Sequence, residues 1–175
     1  MADTRTALGP LERVNGTWVV GDPGRPGGSW IEFRAEGLYR HGRGGDGESI
    51  PWSRIMLGVG VVIGRGHPNH GQYSLLGMLG NLPGPFNGRG GGHLDMTLRH
   101  PYEDRKLTFA RHAHAYRLFD TVLLQELLSQ VVAAGEAQRL GDPDWLGQVV
   151  GRLGLLTPWP KGSGLSEALE RAWRV

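Results

Sequence analysis

The chain has 175 residues, of which 39% are hydrophobic and 21% are charged, so it is long enough for one hydrophobic core and has the composition of a folded globular protein. It contains no cysteine, which excludes disulfides, thiolate zinc sites, iron–sulfur clusters and cysteine nucleophiles. The net charge of +2 is too balanced to indicate a nucleic-acid partner by itself. The 30 glycines and 11 prolines predict many turns and long loops rather than a helical bundle.

The first residues of the chain show no targeting or membrane signal. Residues 1–14 are predicted to be disordered or extended, because they carry no apolar run. No stretch of 18 uncharged hydrophobic residues occurs in the sequence, so no membrane span is predicted. We therefore expect a cytoplasmic location.

Short strands with alternating hydrophobic residues dominate the first half of the chain. Trp30–Ala35 places its apolar residues on one face, Glu36-Gly37 supplies a tight turn, and Leu38–His41 returns as a second strand. A third strand is predicted over Ser49–Met56, where Pro51 indicates an edge or a strand start because proline cannot donate to a ladder. These segments predict an antiparallel sheet.

The second half changes from the periodicity of strands to that of helices. Alternation over Leu94–Arg111 predicts a β-hairpin, and apolar spacings of three and four predict one long amphipathic helix from Tyr116 to about Leu140. The apolar stripe of that helix is broader than one sheet can cover. Asp142-Pro143 is typical of a helix start, and Ser163 is a candidate cap for a last short helix. Residues 141–175 are therefore predicted to form a helical tail packed on the same domain.

The order of these elements resembles a bacterial pleckstrin-homology-like domain. The resemblance covers residues 15–140 and rests on WIEFRAEGLYRH at Trp30–His41, SIPWSRI at Ser49–Ile55 and the helix that directly follows the last hairpin. It implies an α+β fold, with an antiparallel β-sandwich or partly open barrel capped by one long C-terminal amphipathic helix. It also implies a binding module without chemistry. Phosphoinositide binding is not expected, because the loop over residues 21–29 carries only Arg25.

No motif in the sequence identifies a catalysed reaction or a cofactor, so the favoured interpretation is a non-enzymatic module that binds a protein partner, with a homo-oligomer as one option. Apolar residues in a frame of glycine and proline form the candidate partner surface, because large exposed apolar patches usually mark interaction sites. They are Leu75, Leu76, Met78, Leu79, Leu82 and Phe86.

The histidines support an alternative, a small metal-dependent enzyme or metal-binding protein. His112 and His114 share one face if the last strand continues, and His100 at the far end of the neighbouring strand is a possible third ligand. The favoured interpretation of these histidines is nevertheless solvated or core-edge imidazoles. Metal sites usually add a nearby Asp or Glu as a ligand or as the partner of a ligand.

A further alternative is nucleic-acid binding through an arginine-rich sheet face. Acidic residues are interleaved with these arginines, which favours a surface of mixed charge over a nucleic-acid platform. The arginines concerned are Arg34, Arg40, Arg43, Arg54, Arg65, Arg89, Arg99, Arg105 and Arg111.

Overall fold

The described strands precede the three α-helices along the chain. A computed structural model describes residues 6–45, 47–65, 67, 69–70, 91–156 and 164–174. The helices are α1 (Leu118–Ala133), α2 (Pro143–Gly154) and α3 (Gly164–Trp173). The strands are β1 (Ala7–Leu8), β2 (Leu11–Val14), β3 (Thr17–Val20), β4 (Trp30–Phe33), β5 (Gly37–His41), β6 (Glu48–Pro51), β7 (Ile55–Val62), β8 (Asn69–His70), β9 (His93–Leu98), β10 (Glu103–Thr108) and β11 (Tyr116–Arg117).

The strands form three groups. β1 to β6 pair in chain order as an antiparallel sheet, and β10, β9 and β7 form a second antiparallel sheet in that spatial order. β8 and β11 make a short parallel pair. The α+β fold and the hairpin over residues 94–111 are confirmed, but the described strands do not close into a barrel. The likeness to a pleckstrin-homology-like domain stays a prediction.

The chain leaves the first sheet at Pro51 and enters the second sheet four residues later. The sequence predicted one strand over residues 49–56, and the structure divides it into β6, a 3₁₀ turn over Trp52–Arg54 and β7, which pairs with β9. Proline has no N–H to continue the ladder, so Pro51 ends β6. Trp52 turns inward, is 4% exposed, and donates its indole N–H to the Arg34 carbonyl over 2.8 Å. Trp52 is therefore part of the hydrophobic core.

Helix α1 is shorter at both ends than the predicted helix. Its first two expected residues, Tyr116 and Arg117, are extended and belong to β11. At the other end Gly135 has φ +76°, and its N–H donates to the Val132 carbonyl while that of Glu136 donates to Val131. This Schellman arrangement ends the helix because it uses the last free carbonyls in a left-handed turn that glycine adopts without strain. A 3₁₀ helix over Ala137–Gly141 then leads to α2.

The C-terminal helices pack on the same hydrophobic core as the sheets. The Asp142 side chain caps α2 by accepting hydrogen bonds from the backbone N–H groups of Asp144 and Trp145, as the sequence predicted. Trp18 in β3 donates its indole N–H to the Pro143 carbonyl over 3.0 Å. Trp173 in α3 donates to the Gln130 side chain in α1 over 2.9 Å. The candidate cap Ser163 lies outside the described residues.

The N-terminal segment is part of the first sheet. The described residues of the segment predicted as disordered or extended include β1 and β2, and Leu8 and Leu11 are fully buried. β2 pairs with β3 along its whole length, from Leu11 opposite Val20 to Val14 opposite Thr17. This pairing fixes the alternate residues of β2, including Glu12, on the face opposite Leu11.

Candidate metal site

Two histidines and one glutamate from distant parts of the chain meet beside β2. Glu12 comes from β2, while His112 and His114 come from the segment between β10 and β11. The Glu12 Oε2 atom lies 3.2 Å from Nε2 of His112, and Oε1 lies 3.7 Å from Nε2 of His114. One ligand atom from each residue lies within 4.8 Å of the other two. Each carboxylate oxygen therefore faces a different imidazole.

The segment after β10 reaches this place because it is held between two loops. The Ala110 N–H donates to the Ser29 carbonyl over 2.7 Å, and the Ala110 carbonyl accepts from Asp22 over 2.9 Å. Gly21 has φ +95°, and a Cβ there would lie 2.8 Å from Cβ of Phe109. Glycine is thus required for the close approach that brings the histidines to β2.

The two imidazoles differ in their exposure. The His112 side chain is 7% exposed, whereas that of His114 is 58% exposed. Nε2 of His112 is buried and lies in ion-pair contact with the Glu12 Oε2 atom 3.2 Å away, but it forms no well-aligned hydrogen bond with the described residues. A buried ring nitrogen without a hydrogen bond costs free energy unless another partner, such as a metal ion, satisfies it. The site therefore has a buried side at His112 and an open side at His114.

Glu12 supplies the negative charge of the cluster. The polar contact with His112 lowers the pKa of the Glu12 carboxyl, partial burial opposes this effect, and the charges of His112 and His114 lower the pKa further. The carboxyl is therefore ionised at neutral pH and acts as an acceptor or a metal ligand.

Two further aromatic residues, His67 and Tyr116, contact the two histidines. The His67 Nε2–H donates to the His114 carbonyl over 3.1 Å, and its ring lies 4.5 Å from that of Tyr116. Burial is the main cause that lowers the pKa of His67, and the charge of Arg111 adds to it. The Tyr116 hydroxyl accepts the backbone N–H of His112 over 2.8 Å and also lies 2.8 Å from Nδ1 of the same residue.

Tyr116 makes the stability of the protein sensitive to alkaline pH. Burial raises the pKa of Tyr116 to about 12 from its ordinary value of 10.0. Because the folded pKa is raised, the stabilisation is complete below pH 10 and is lost as the pH rises towards about 12. Between those limits, the unfolding free energy of chelator-treated protein should fall by up to about 3 kcal/mol more than that of its Tyr116→Phe variant. Urea unfolding of both proteins at several pH values measures this difference, and parallel curves would contradict it.

Of the three histidines that the sequence suggested as metal ligands, the structure brings two together. His100 lies in the exposed turn between β9 and β10, with its ring 5.8 Å from that of Tyr102, and it is not part of the group. Glu12 was missed, because it is far from the histidines in the sequence and lies in a segment predicted to be disordered or extended. Its position on a strand face opposite a buried leucine was the available signal.

The other sequence-based candidates stand as follows. The apolar residues proposed as a partner surface lie outside the described residues, so that surface stays a prediction: Leu75, Leu76, Met78, Leu79, Leu82 and Phe86. Most arginines of the suggested basic face are hydrogen-bonded within the protein, many of them to backbone carbonyls, which leaves fewer donors for phosphates. The arginines with such hydrogen bonds are Arg34, Arg40, Arg43, Arg54, Arg99, Arg105 and Arg111.

Comparisons with known proteins found no relative of this chain. No family model, no curated protein and no solved structure matches the chain. Within the part of the chain that the structure describes, no helix is long and apolar enough to cross a membrane.

Proposed function

We propose that this protein binds a divalent transition-metal ion through Glu12, His112 and His114. The observation that carries the proposal is the buried Nε2 of His112, which forms no well-aligned hydrogen bond with the described residues and faces the Glu12 carboxylate 3.2 Å away, beside a second imidazole. Three donor atoms of the types that transition metals prefer thus converge from two separate segments.

The distances suit one ion. Metal–ligand bonds of about 2.0–2.2 Å in a tetrahedral site place neighbouring ligand atoms about 3.3–3.6 Å apart. Nε2 of His112 lies 3.2 Å from Oε2 of Glu12, and Nε2 of His114 lies 3.7 Å from the other carboxylate oxygen, Oε1. One ligand atom from each of the three residues lies within 4.8 Å of the other two, and the exposed His114 side chain has room to turn towards them.

The donor set favours Zn²⁺ and its neighbours over Mg²⁺ or Ca²⁺. Imidazole nitrogens suit zinc, copper, iron and nickel, whereas magnesium and calcium prefer oxygen donors alone. Two imidazoles and one carboxylate form a set found in metalloenzymes, with the remaining position taken by water or substrate. A bound ion would also link β2 to the segment before β11 and so stabilise the folded state.

Metal titration of the full chain without a purification tag tests the proposal. After chelator treatment and dialysis, calorimetric titration with ZnCl₂ should show one ion per chain, and Co²⁺ should give the absorption of a tetrahedral site. Glu12→Gln and His114→Gln should each weaken Zn²⁺ binding by more than the roughly 10–100-fold caused by loss of an outer-shell partner.

A matched control comes from the histidine outside the cluster. His100 is exposed and has φ +56°, a conformation that asparagine tolerates, so His100→Asn should fold and bind Zn²⁺ like the wild type. If the wild type shows no saturable Zn²⁺ binding, Glu12 only makes ion-pair contacts with the two imidazoles and the proposed function is wrong. Equal binding by the wild type and Glu12→Gln would contradict the ligand assignment.

A further inference from the structure

We infer that Tyr116 is the positioning residue of the metal site, where its hydroxyl holds the His112 ring with Nε2 directed at the ion. This inference rests on the proposed metal site. It concerns a residue that contacts a ligand rather than the ion itself.

The Tyr116 hydroxyl contacts both the backbone and the side chain of His112. It accepts the backbone N–H of His112 over 2.8 Å and lies 2.8 Å from Nδ1 of the same imidazole. These two contacts fix the imidazole relative to its own backbone. With Nδ1 held by the hydroxyl, Nε2 lies on the side that faces Glu12.

This arrangement allows His112 to carry its ring proton on Nδ1, as a metal-bound imidazole must. An imidazole that gives the Nε2 lone pair to a metal carries its proton on Nδ1, so the ring must donate from that nitrogen. The phenol oxygen has two lone pairs and can therefore accept both the backbone N–H and the Nδ1–H of His112. When no metal is bound, the phenol O–H can instead donate to Nδ1 while Nε2 carries the proton. The hydroxyl can thus form a hydrogen bond with Nδ1 of His112 whether or not a metal ion is bound.

Burial leaves Nδ1 of His112 no substitute for this partner. Tyr116 is 1% exposed and the His112 side chain is 7% exposed, so water has little access to their contact. An acceptor on the second ring nitrogen raises the basicity of a ligating imidazole and fixes its orientation. Removal of the hydroxyl should therefore weaken metal binding without removing any donor atom.

The Tyr116→Phe variant tests this role because it keeps the packed ring. The Tyr116 ring lies edge-on to the rings of His112 and His114, with centroids 5.7 and 5.6 Å away, and phenylalanine preserves these contacts. In ZnCl₂ titrations of the full chain, the variant should still bind one ion, with a Kd about 10–100-fold higher than that of the wild type. Tyr102→Phe, which changes a 72% exposed tyrosine, is the matched control and should bind like the wild type.

A spectroscopic measurement separates positioning from a general loss of stability. In the Zn²⁺-loaded wild type, ¹⁵N-edited NMR of the histidine rings should show the His112 proton on Nδ1 and protected from exchange by its hydrogen bond. In Tyr116→Phe that proton should exchange faster. If wild-type protein binds Zn²⁺ and the variant binds equally tightly with the same protected proton, the role of Tyr116 is wrong while the metal site stands. If the wild type binds no Zn²⁺, both fail together.

Discussion

A chain that ends at Leu140 is expected to aggregate or to form dimers instead of folding as a stable monomer. The missing residues include α2 and α3, whose inner faces supply Leu146, Val149, Leu153 and Leu169, all fully buried. Each such side chain contributes about 1.5–3 kcal/mol when removed from water, and a whole domain is stable by only about 5–15 kcal/mol. Size-exclusion chromatography and binding of a hydrophobic dye measure the outcome. A soluble, monomeric and equally stable fragment would show that the tail is an independent appendage.

Two leucines near the end of α2 allow the same point to be tested in the full chain. Leu153 is fully buried, whereas Leu155 is 80% exposed. Leu153→Ala should lower the unfolding free energy by about 2–5 kcal/mol, because it removes methyl groups from the core and leaves a cavity. Leu155→Ala should change it by less than about 0.5 kcal/mol. Similar effects of the two substitutions would contradict the packing of α2.

Replacement of Trp52 by alanine is expected to lower the unfolding free energy by about 3–5 kcal/mol. The indole lies at the junction of the two sheets, meets the Phe33 ring edge-on with centroids 5.7 Å apart, and donates to the Arg34 carbonyl. Alanine therefore loses the buried ring and the hydrogen bond from the 3₁₀ turn to the residue that follows β4. Urea unfolding followed by circular dichroism measures the change, since tryptophan fluorescence is itself altered.

The conservative variant Trp52→Phe separates the ring from the hydrogen bond. The Arg34 carbonyl also accepts the Gly37 N–H over 3.2 Å, so the loss of the indole donor does not leave it unpaired. We expect Trp52→Phe to be clearly less destabilised than Trp52→Ala. An unchanged melting temperature in the alanine variant would mean that the sheet junction is not as described.

Local sequence patterns predicted the elements better than their ends or their pairing. The alternation of Leu94, Met96 and Leu98 depends only on near neighbours, and the hairpin that it predicted is present. The break at Trp52 was missed, because alternation continues through Pro51 and nothing local shows that the next residues change sheets. The end of α1 at Gly135 was missed for a related reason, since the apolar stripe continues beyond a glycine whose turn conformation is set by the tertiary fold.

Less of the candidate site than of the fold could be predicted from the sequence. The spacing of His112 and His114 suggested a pair on one face, and the structure brings their rings together with centroids 4.9 Å apart. The carboxylate that completes the group, Glu12, is brought there by the pairing of β2 with β3 and by the path of the chain between Asp22 and Ser29. Contacts between such distant segments leave no periodic signal in one sequence. The hydroxyl of Tyr116 was hidden for another reason, because its apolar ring was assigned to the core face of a helix.

The most direct test of the metal site is a crystal structure of the full chain loaded with Zn²⁺, with anomalous diffraction recorded on both sides of the zinc edge. We expect one anomalous peak about 2.0–2.2 Å from Nε2 of His112, Nε2 of His114 and a carboxylate oxygen of Glu12. The absence of a peak at this position, or a peak held only by other residues such as His100, would contradict the assignment of these three ligands.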